Sequence, residues 1–297
     1  MALVNQAQLK CPALTARHYS VTRSDPRKGN YTDMTTPLYD SWNATLYAGN
    51  SAHHRAQDAA YLSSFTLAPT DHILDLGSGT GEFTNKLAVL VPQGLVLGVD
   101  ASRSQIEYAR RSKANNVEFS LGHLEALDAL LEHRKFDAAI SRATLHWVNE
   151  DDHPLLLRTV AAHLRPGGFM RAEFGGYGQM ASVITILDDV ATSLGGQTIR
   201  CFFPEAEQYR ALLQQAGFDV MRGFVRLVNQ TRSIPTFEAL VGLLRSQPYV
   251  GYEPNLPEQN RQAFRELAEK RARTELKRAD GSYDLDFVRL DLLAFSV

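Results

Sequence analysis

The sequence predicts an α/β fold, a doubly wound sheet of seven strands with a helical insertion before the last one. Three observations carry that prediction. Short apolar segments alternate with segments of helical period from His72 to Phe174, the pattern of parallel strands joined by crossover helices. The string HILDLGSGTGEFT, His72 to Thr84, passes from strand through a glycine-dense turn into a helix. VLGVD then sets an acid, Asp100, at the end of the next strand.

The elements follow in order. A helix is expected over Ser51 to Phe65, then a strand ending at Leu76 and a helix carrying Phe83, Leu87, Leu90 and Val91 at helical spacing. Pro92-Gln93-Gly94 turns into the second strand, Leu95 to Asp100. Ser102 with Gln105 three positions on is a capping pattern for a helix that Asn115-Asn116 stops. The third strand runs Val117 to Leu121 and the fourth Phe136 to Ser141. Asp152 and Pro154 open a helix with Leu156, Leu157, Val160, Ala161 and Leu164 on one face. Pro166-Gly167-Gly168 turns into a fifth strand, Phe169 to Phe174. Tyr209 to Ala216 reads as a helix ended by Gly217, before a strand near Phe218 to Val228. The last strand is Asp286 to Phe295, and residues 234–280 between them read as a mostly helical insertion or cap.

The glycine turn is an anion-friendly crevice, because backbone N–H groups and the positive helix end point at the ligand while glycines let it approach. Asp100 stands at the distance from which a carboxylate holds a ribose. A dinucleotide site wants G-x-G-x-x-G; here Gly77, Gly79 and Gly81 give G-x-G-x-G, and Glu82 takes the third dinucleotide position. Asp75, two residues before the first glycine, suits a ligand with a positive amine.

Composition narrows the class. The 297 residues carry a net charge of −2, so no basic field argues for nucleic acid. No apolar run approaches the ~20 residues of a membrane span. The two cysteines, Cys11 and Cys201, support neither a disulfide framework nor a zinc site, and no metal is expected. A cytoplasmic enzyme for a small molecule is the expectation. Residues 1–33 read as a disordered extension before a domain of residues 34–297; the acid-poor start, with Arg17, Arg23 and Arg27, leaves a mitochondrial transit peptide open.

WNATLY, the glycine string, FDAAISRATLHWV, LRPGG and DFVRLDLLAF together resemble the trans-aconitate methyltransferase-like branch of the class I S-adenosylmethionine-dependent methyltransferases. The insect juvenile hormone acid methyltransferases share the LHWV block. The resemblance covers the chain from about Trp42 onward. It implies a Rossmann-like methyltransferase sheet with an antiparallel final strand, S-adenosyl-L-methionine as cofactor, and a carboxylate among the acceptors. Gly77, Ser78 and Gly79 would take the methionine end and Asp75 would orient that loop or the ammonium group. Asp100 would take the ribose, with Ala101 and Ser102 beside the adenine. His123 stands where relatives place an Asp for the adenine amine, so Leu124 and backbone groups would serve there. Ser141 and Arg142 would line the sulfonium side, with His146 near the methyl donor, orienting or deprotonating the acceptor. Trp147 would wall the pocket, and Arg55, Tyr47, Glu173 and Tyr177 are further substrate candidates.

A carboxylate acceptor, with a pKa of ~4, needs no base at neutral pH, whereas a phenol at ~10 benefits from one. The first version asks for a cationic grip, the second for a working histidine. A hydroxyl or nitrogen acceptor, an NAD-dependent dehydrogenase and a non-catalytic cofactor-binding module remain alternatives.

Overall fold

The computed structural model describes residues 41–50, 56–199 and 201–297, all within one compact unit, Thr35–Val297. The expected extension over residues 1–33, and Arg55, lie outside the described residues. Helices α1 (Ala44–Asn50) and α2 (Asp58–Leu62) precede β1 (His72–Leu76). Strict alternation follows: α3 (Glu82–Leu90), β2 (Leu95–Asp100), α4 (Arg103–Ala109), β3 (Val117–Leu121), α5 (Leu127–Leu131), β4 (Phe136–Arg142), α6 (His153–His163) and β5 (Leu164–Gly175). Then come α7 (Ala181–Ser193), α8 (Ala206–Gln215), β6 (Phe218–Asn229) and β7 (Arg232–Ile234). The chain closes with α9 (Phe237–Ser246), α10 (Arg261–Glu275), β8 (Tyr283–Leu285) and β9 (Val288–Ser296).

Seven strands pair in the order β3-β2-β1-β4-β5-β9-β6. The first five are parallel, and β9 enters antiparallel between β5 and β6, as the resemblance implies. Alternate side chains of each strand face opposite layers. Ile73, Val96 and Ile140 pack with Leu87 of α3 and Ile106 of α4 on one face. Leu74, Leu97 and Ala139 pack with Leu131, Leu157 and Leu213 of α5, α6 and α8 on the other. The order reverses at β1, where β2 lies on one side and β4 on the other, and there the strands' C-terminal ends open a crevice.

The insertion is helical as expected, but it does not stand alone. Val183, Ile186, Leu187 and Val190 of α7 share a separate core with Leu240 and Leu244 of α9 and Phe264 and Ala268 of α10. The cap is therefore assembled from two stretches of chain, and α7 is an element that the sequence reading did not draw.

Three boundaries and one burial differ. Of the helix expected over Ser51 to Phe65, the described residues show α2, which ends at Leu62, where the Ser63 and Ser64 hydroxyls donate to the Ala60 and Tyr61 carbonyls. β5 begins at Leu164, and Pro166-Gly167-Gly168 forms a bulge within it opposite Phe136–Ala138. The last strand starts at Val288, since Tyr283–Leu285 pairs with β7 in a separate ribbon. Leu90, counted on the apolar face of α3, is exposed at its C-terminal end while Leu87 and Val91 are buried.

Candidate active site

The glycine turn is tied to the neighbouring strand. The N–H groups of Gly77 and Ser78 donate to the Val99 carbonyl at 2.8 and 3.0 Å. Gly77, Gly79 and Gly81 all lie in the left-handed region, with φ of 79°, 53° and 76°. They differ in what surrounds them. A Cβ on Gly77 would fall 2.1 Å from Thr144 Oγ1, and one on Gly81 2.5 Å from Phe119, whereas Gly79 faces open space. Packing dictates the outer two glycines; the middle one borders the crevice.

Two carboxylates brace this turn. Asp100 accepts from the Gly79 N–H through Oδ2 and from the Ser102 N–H through Oδ1, each at 2.8 Å. Burial raises its pKa, and those two hydrogen bonds oppose the shift. Asp75 is buried and accepts from the Thr84 hydroxyl at 2.7 Å. Burial pushes its pKa up to about 7, against the Thr84 hydrogen bond, with Asp100 reinforcing and Arg142 opposing.

Three spaces meet here. The first has about 650 Å³ of free volume and is lined by Gly77, Gly79, Asp100, Ala101, Leu124 and Val148 among others. The second adjoins the glycine turn, with Asp58, Asp75, Ser78, Thr80 and Arg142. The third, about 570 Å³, runs toward the cap between His146, Trp147, Ile184, Phe203 and Arg289. Tyr47 and Ala143 line all three. Ala143 is held left-handed, φ 54°, with its N–H donating 2.7 Å to the Glu173 carbonyl. A non-glycine residue in that conformation stores strain of the kind that collects at functional sites.

Arg142 stands between the first two spaces. Its guanidinium pairs with Asp58 and lies over the rings of Tyr61 and Phe83, at 4.7 and 4.9 Å. Nε and Nη2 are buried without a hydrogen-bond partner among the described residues, and so is the Ser78 hydroxyl. Unsatisfied buried donors of this kind ask for a ligand.

His146 belongs to the third space. It is buried, stacks on Phe203 at 5.7 Å, and its Nδ1 accepts from the Gly175 N–H at 3.3 Å. The proton of the neutral ring is thereby placed on Nε2. Burial first, then Arg289 and His153, lowers its pKa to about 3. Tyr47 is pushed up to about 12 by burial. Arg289, on β9, is buried, and its Nε reaches the Glu173 carboxylate only at 3.8 Å, ion-pair range without a hydrogen bond. Burial lowers its pKa to about 10, Glu173 opposing, so it stays a cation at neutral pH.

The other residues singled out from the sequence fall as follows. Ala101, Leu124 and Trp147 line the first space, and Trp147 the third as well. His123 is not among the lining residues; Leu124 and Glu125 are, since the chain turns into a short helical segment there. Ser102 instead caps α4 by accepting from the Gln105 N–H, and it is Gln105 that reaches the crevice. Ser141 is buried and donates to the Leu76 carbonyl at 2.8 Å, linking β4 to β1. Glu173 acts at one remove, through Ala143 and Arg289. Tyr177 is 63% exposed and lines none of the three spaces, because the Gly175-Gly176 turn carries it outward. Ala143 and Arg289 were not picked out in advance: one is a plain alanine, the other lies in an apolar string far along the chain.

Residues 73–168 match the methyltransferase-domain family. An uncharacterized methyltransferase of Schizosaccharomyces pombe is 30% identical over 190 residues, 61% of this chain and 72% of that protein. A trans-aconitate 2-methyltransferase of Deinococcus radiodurans is 35% identical over 53% of this chain and 60% of its own length. Among solved structures, the cyclopropane synthase MmaA2 of Mycobacterium tuberculosis superposes with a TM-score of 0.56 at 14% identity, covering 89% of this chain and 100% of that one, a likeness of fold.

Proposed function

The chain belongs to the class I S-adenosylmethionine-dependent methyltransferases, in the branch of the trans-aconitate methyltransferases, and we propose that it methylates a carboxylate oxygen of a small molecule. That membership sets aside the dehydrogenase.

The groups around the turn fit the cofactor. The unpartnered Nε and Nη2 of Arg142 and the Ser78 hydroxyl suit a carboxylate, and Asp75 an ammonium group. Asp100 keeps lone pairs for a ribose diol beyond the two backbone bonds it accepts. Ala101, Leu124 and Val148 offer apolar surface to a purine. When bound, the cofactor supplies an electrophilic methyl group on a positive sulfur.

The chain's own work is alignment and exclusion of water, and orientation of this kind is worth up to ~7–11 kcal/mol. Tyr47 and Ala143 wall the point where the cofactor and acceptor spaces meet. Arg289 grips the acceptor carboxylate, and His146 presents a neutral N–H. The observation that carries the reading is Arg289: a buried cation with an unspent Nε in the cavity that adjoins the crevice. A phenol would need a base, and His146 is poorly suited to that role: its Nδ1 already accepts from the Gly175 N–H and burial lowers its basicity.

The test is the chemistry of the product. Purified protein, methyl-labelled cofactor and a panel of carboxylic acids, phenols and amines should give label released as methanol by mild alkali, the mark of a methyl ester. Label that survives alkali on nitrogen, carbon or a phenolic oxygen would overturn the proposal.

A further inference from the structure

The acceptor cavity has a character of its own. Trp42, Trp147, Met180, Ile184, Ile199 and Phe203 give it an apolar lining. Set into that lining is one charged side chain among the described residues, Arg289, with Tyr47, His146 and the amides of Gln179 and Gln247 as neutral polar groups. Met180 and Ile184 come from the start of the cap and Trp42 from the segment before α1, so different parts of the chain contribute to the same apolar surface.

Those features select a substrate. One buried guanidinium neutralises one carboxylate. A second carboxylate on the same molecule would meet neutral amide, hydroxyl and imidazole groups among indole, thioether and aliphatic carbon, with no second cation among the described residues lining the cavity to pair it, and an unpaired buried charge is heavily penalised. An apolar body, by contrast, gains with each methylene that leaves water.

We infer that the acceptor is an amphipathic monocarboxylate, a single carboxylate held at Arg289 on an aliphatic or aromatic body that fills the cavity, and not a polycarboxylate. The inference rests on the carboxylate reading above and narrows it. It separates this chain from relatives that bear the name of trans-aconitate.

The protein carries its own reporter. Its two tryptophans, Trp42 and Trp147, both line the cavity and meet edge-to-face at 5.4 Å. Intrinsic fluorescence therefore reads occupancy without any requirement for turnover. In the presence of S-adenosylhomocysteine, the full chain would be titrated with hexanoate, octanoate and decanoate, and with trans-aconitate. The same acids would be offered with S-adenosylmethionine and the methyl esters counted by mass spectrometry.

Each pair of methylenes should tighten binding by about tenfold, the ~0.8 kcal/mol per buried CH₂ taken twice, until the cavity is full. trans-Aconitate should bind at least about a hundredfold more weakly than octanoate. Ile184→Arg, which adds a second cation, should narrow that gap by about tenfold. A flat chain-length series, or trans-aconitate binding as well as octanoate, would overturn the inference; a trans-aconitate ester would then leave the carboxylate reading standing. Monocarboxylates that bind in the expected series but stay unmethylated, while an amine or phenol of like shape is methylated, would overturn both. Should Ile184→Arg fail to fold, the wild-type series decides alone.

Discussion

The carboxylate of Asp100 accepts a 2.8 Å hydrogen bond from the backbone N–H of Gly79, 21 positions earlier in the chain. One side chain thus shapes the glycine turn and borders the space beside it. Asp100→Ala would disturb both functions, so Asp100→Asn is the more informative variant. It keeps an acceptor for one backbone N–H and loses the charge that strengthens hydrogen bonds to a ribose. The affinity for S-adenosylhomocysteine should fall by about tenfold or more, the worth of a charge-assisted bond at ~1.5–3 kcal/mol. Isothermal calorimetry decides it, and unchanged affinity would remove Asp100 from the ribose.

The three glycines should fail differently. At Gly79 no neighbour stands within 4 Å, so Gly79→Val puts a side chain into the crevice and strains a φ of 53°. Cofactor binding should be lost while the far-ultraviolet circular dichroism stays native. Gly81→Val meets Phe119 and Ala109 instead and should lower the melting temperature more than Gly79→Val does. Equal destabilisation by the two would mean that the middle glycine is a packing residue too.

Asp75 links cofactor binding to pH. Its pKa is raised by burial to about 7 from an ordinary value near 3.8. A carboxyl shifted upward contributes stability that is full below the unfolded pKa and is lost as pH rises through the folded one. Asp75→Asn should therefore melt higher than wild type at pH 8, with the advantage shrinking toward pH 5. The wild-type affinity for the cofactor should rise across the same interval, as the carboxylate that faces an ammonium group ionises. A melting difference independent of pH would contradict the assignment.

The sheet was legible because its evidence is local. Apolar runs, Gly77, Gly79, Gly81 and the acid at Asp100 lie on consecutive segments, and their periodicity survives without tertiary knowledge. The acceptor side was not, for three physical reasons. Arg289 reaches the cavity from β9, whose neighbour β5 lies more than a hundred residues earlier, so no spacing announces it. Ala143 matters through its backbone angle, which its residue type does not encode. His146 was read from the LHWV string as orienting or deprotonating, and only burial and the Gly175 N–H choose between those roles. His123 and Tyr177, which the resemblance brought to the site, are carried aside by turns.

His146 itself makes a prediction in acid. Its pKa of about 3 in the fold lies below the ordinary 6.5, so the neutral ring contributes stability above pH 6.5 that is lost as pH falls toward 3. His153, lowered by burial to about 4, acts in the same sense. The wild-type melting temperature should drop between pH 6.5 and 4.5, and His146→Phe should show a shallower drop, with the His153 part remaining. Turnover by His146→Ala should fall by less than the ~100-fold that removal of a general base costs, with no rescue at high pH. A large loss recovered in alkali would make His146 a base and the acceptor a phenol.

The most direct test of a cationic grip on a carboxylate is steady-state kinetics of Arg289→Gln beside calorimetry of S-adenosylhomocysteine. Glutamine keeps hydrogen-bonding capacity at the base of the cavity and removes the charge. The KM for a carboxylate acceptor should rise by about tenfold to a hundredfold, the ~1.5–3 kcal/mol of a hydrogen bond to a charged group, while cofactor affinity stays within about twofold of wild type. An unchanged KM, or a loss confined to cofactor binding, would contradict the account.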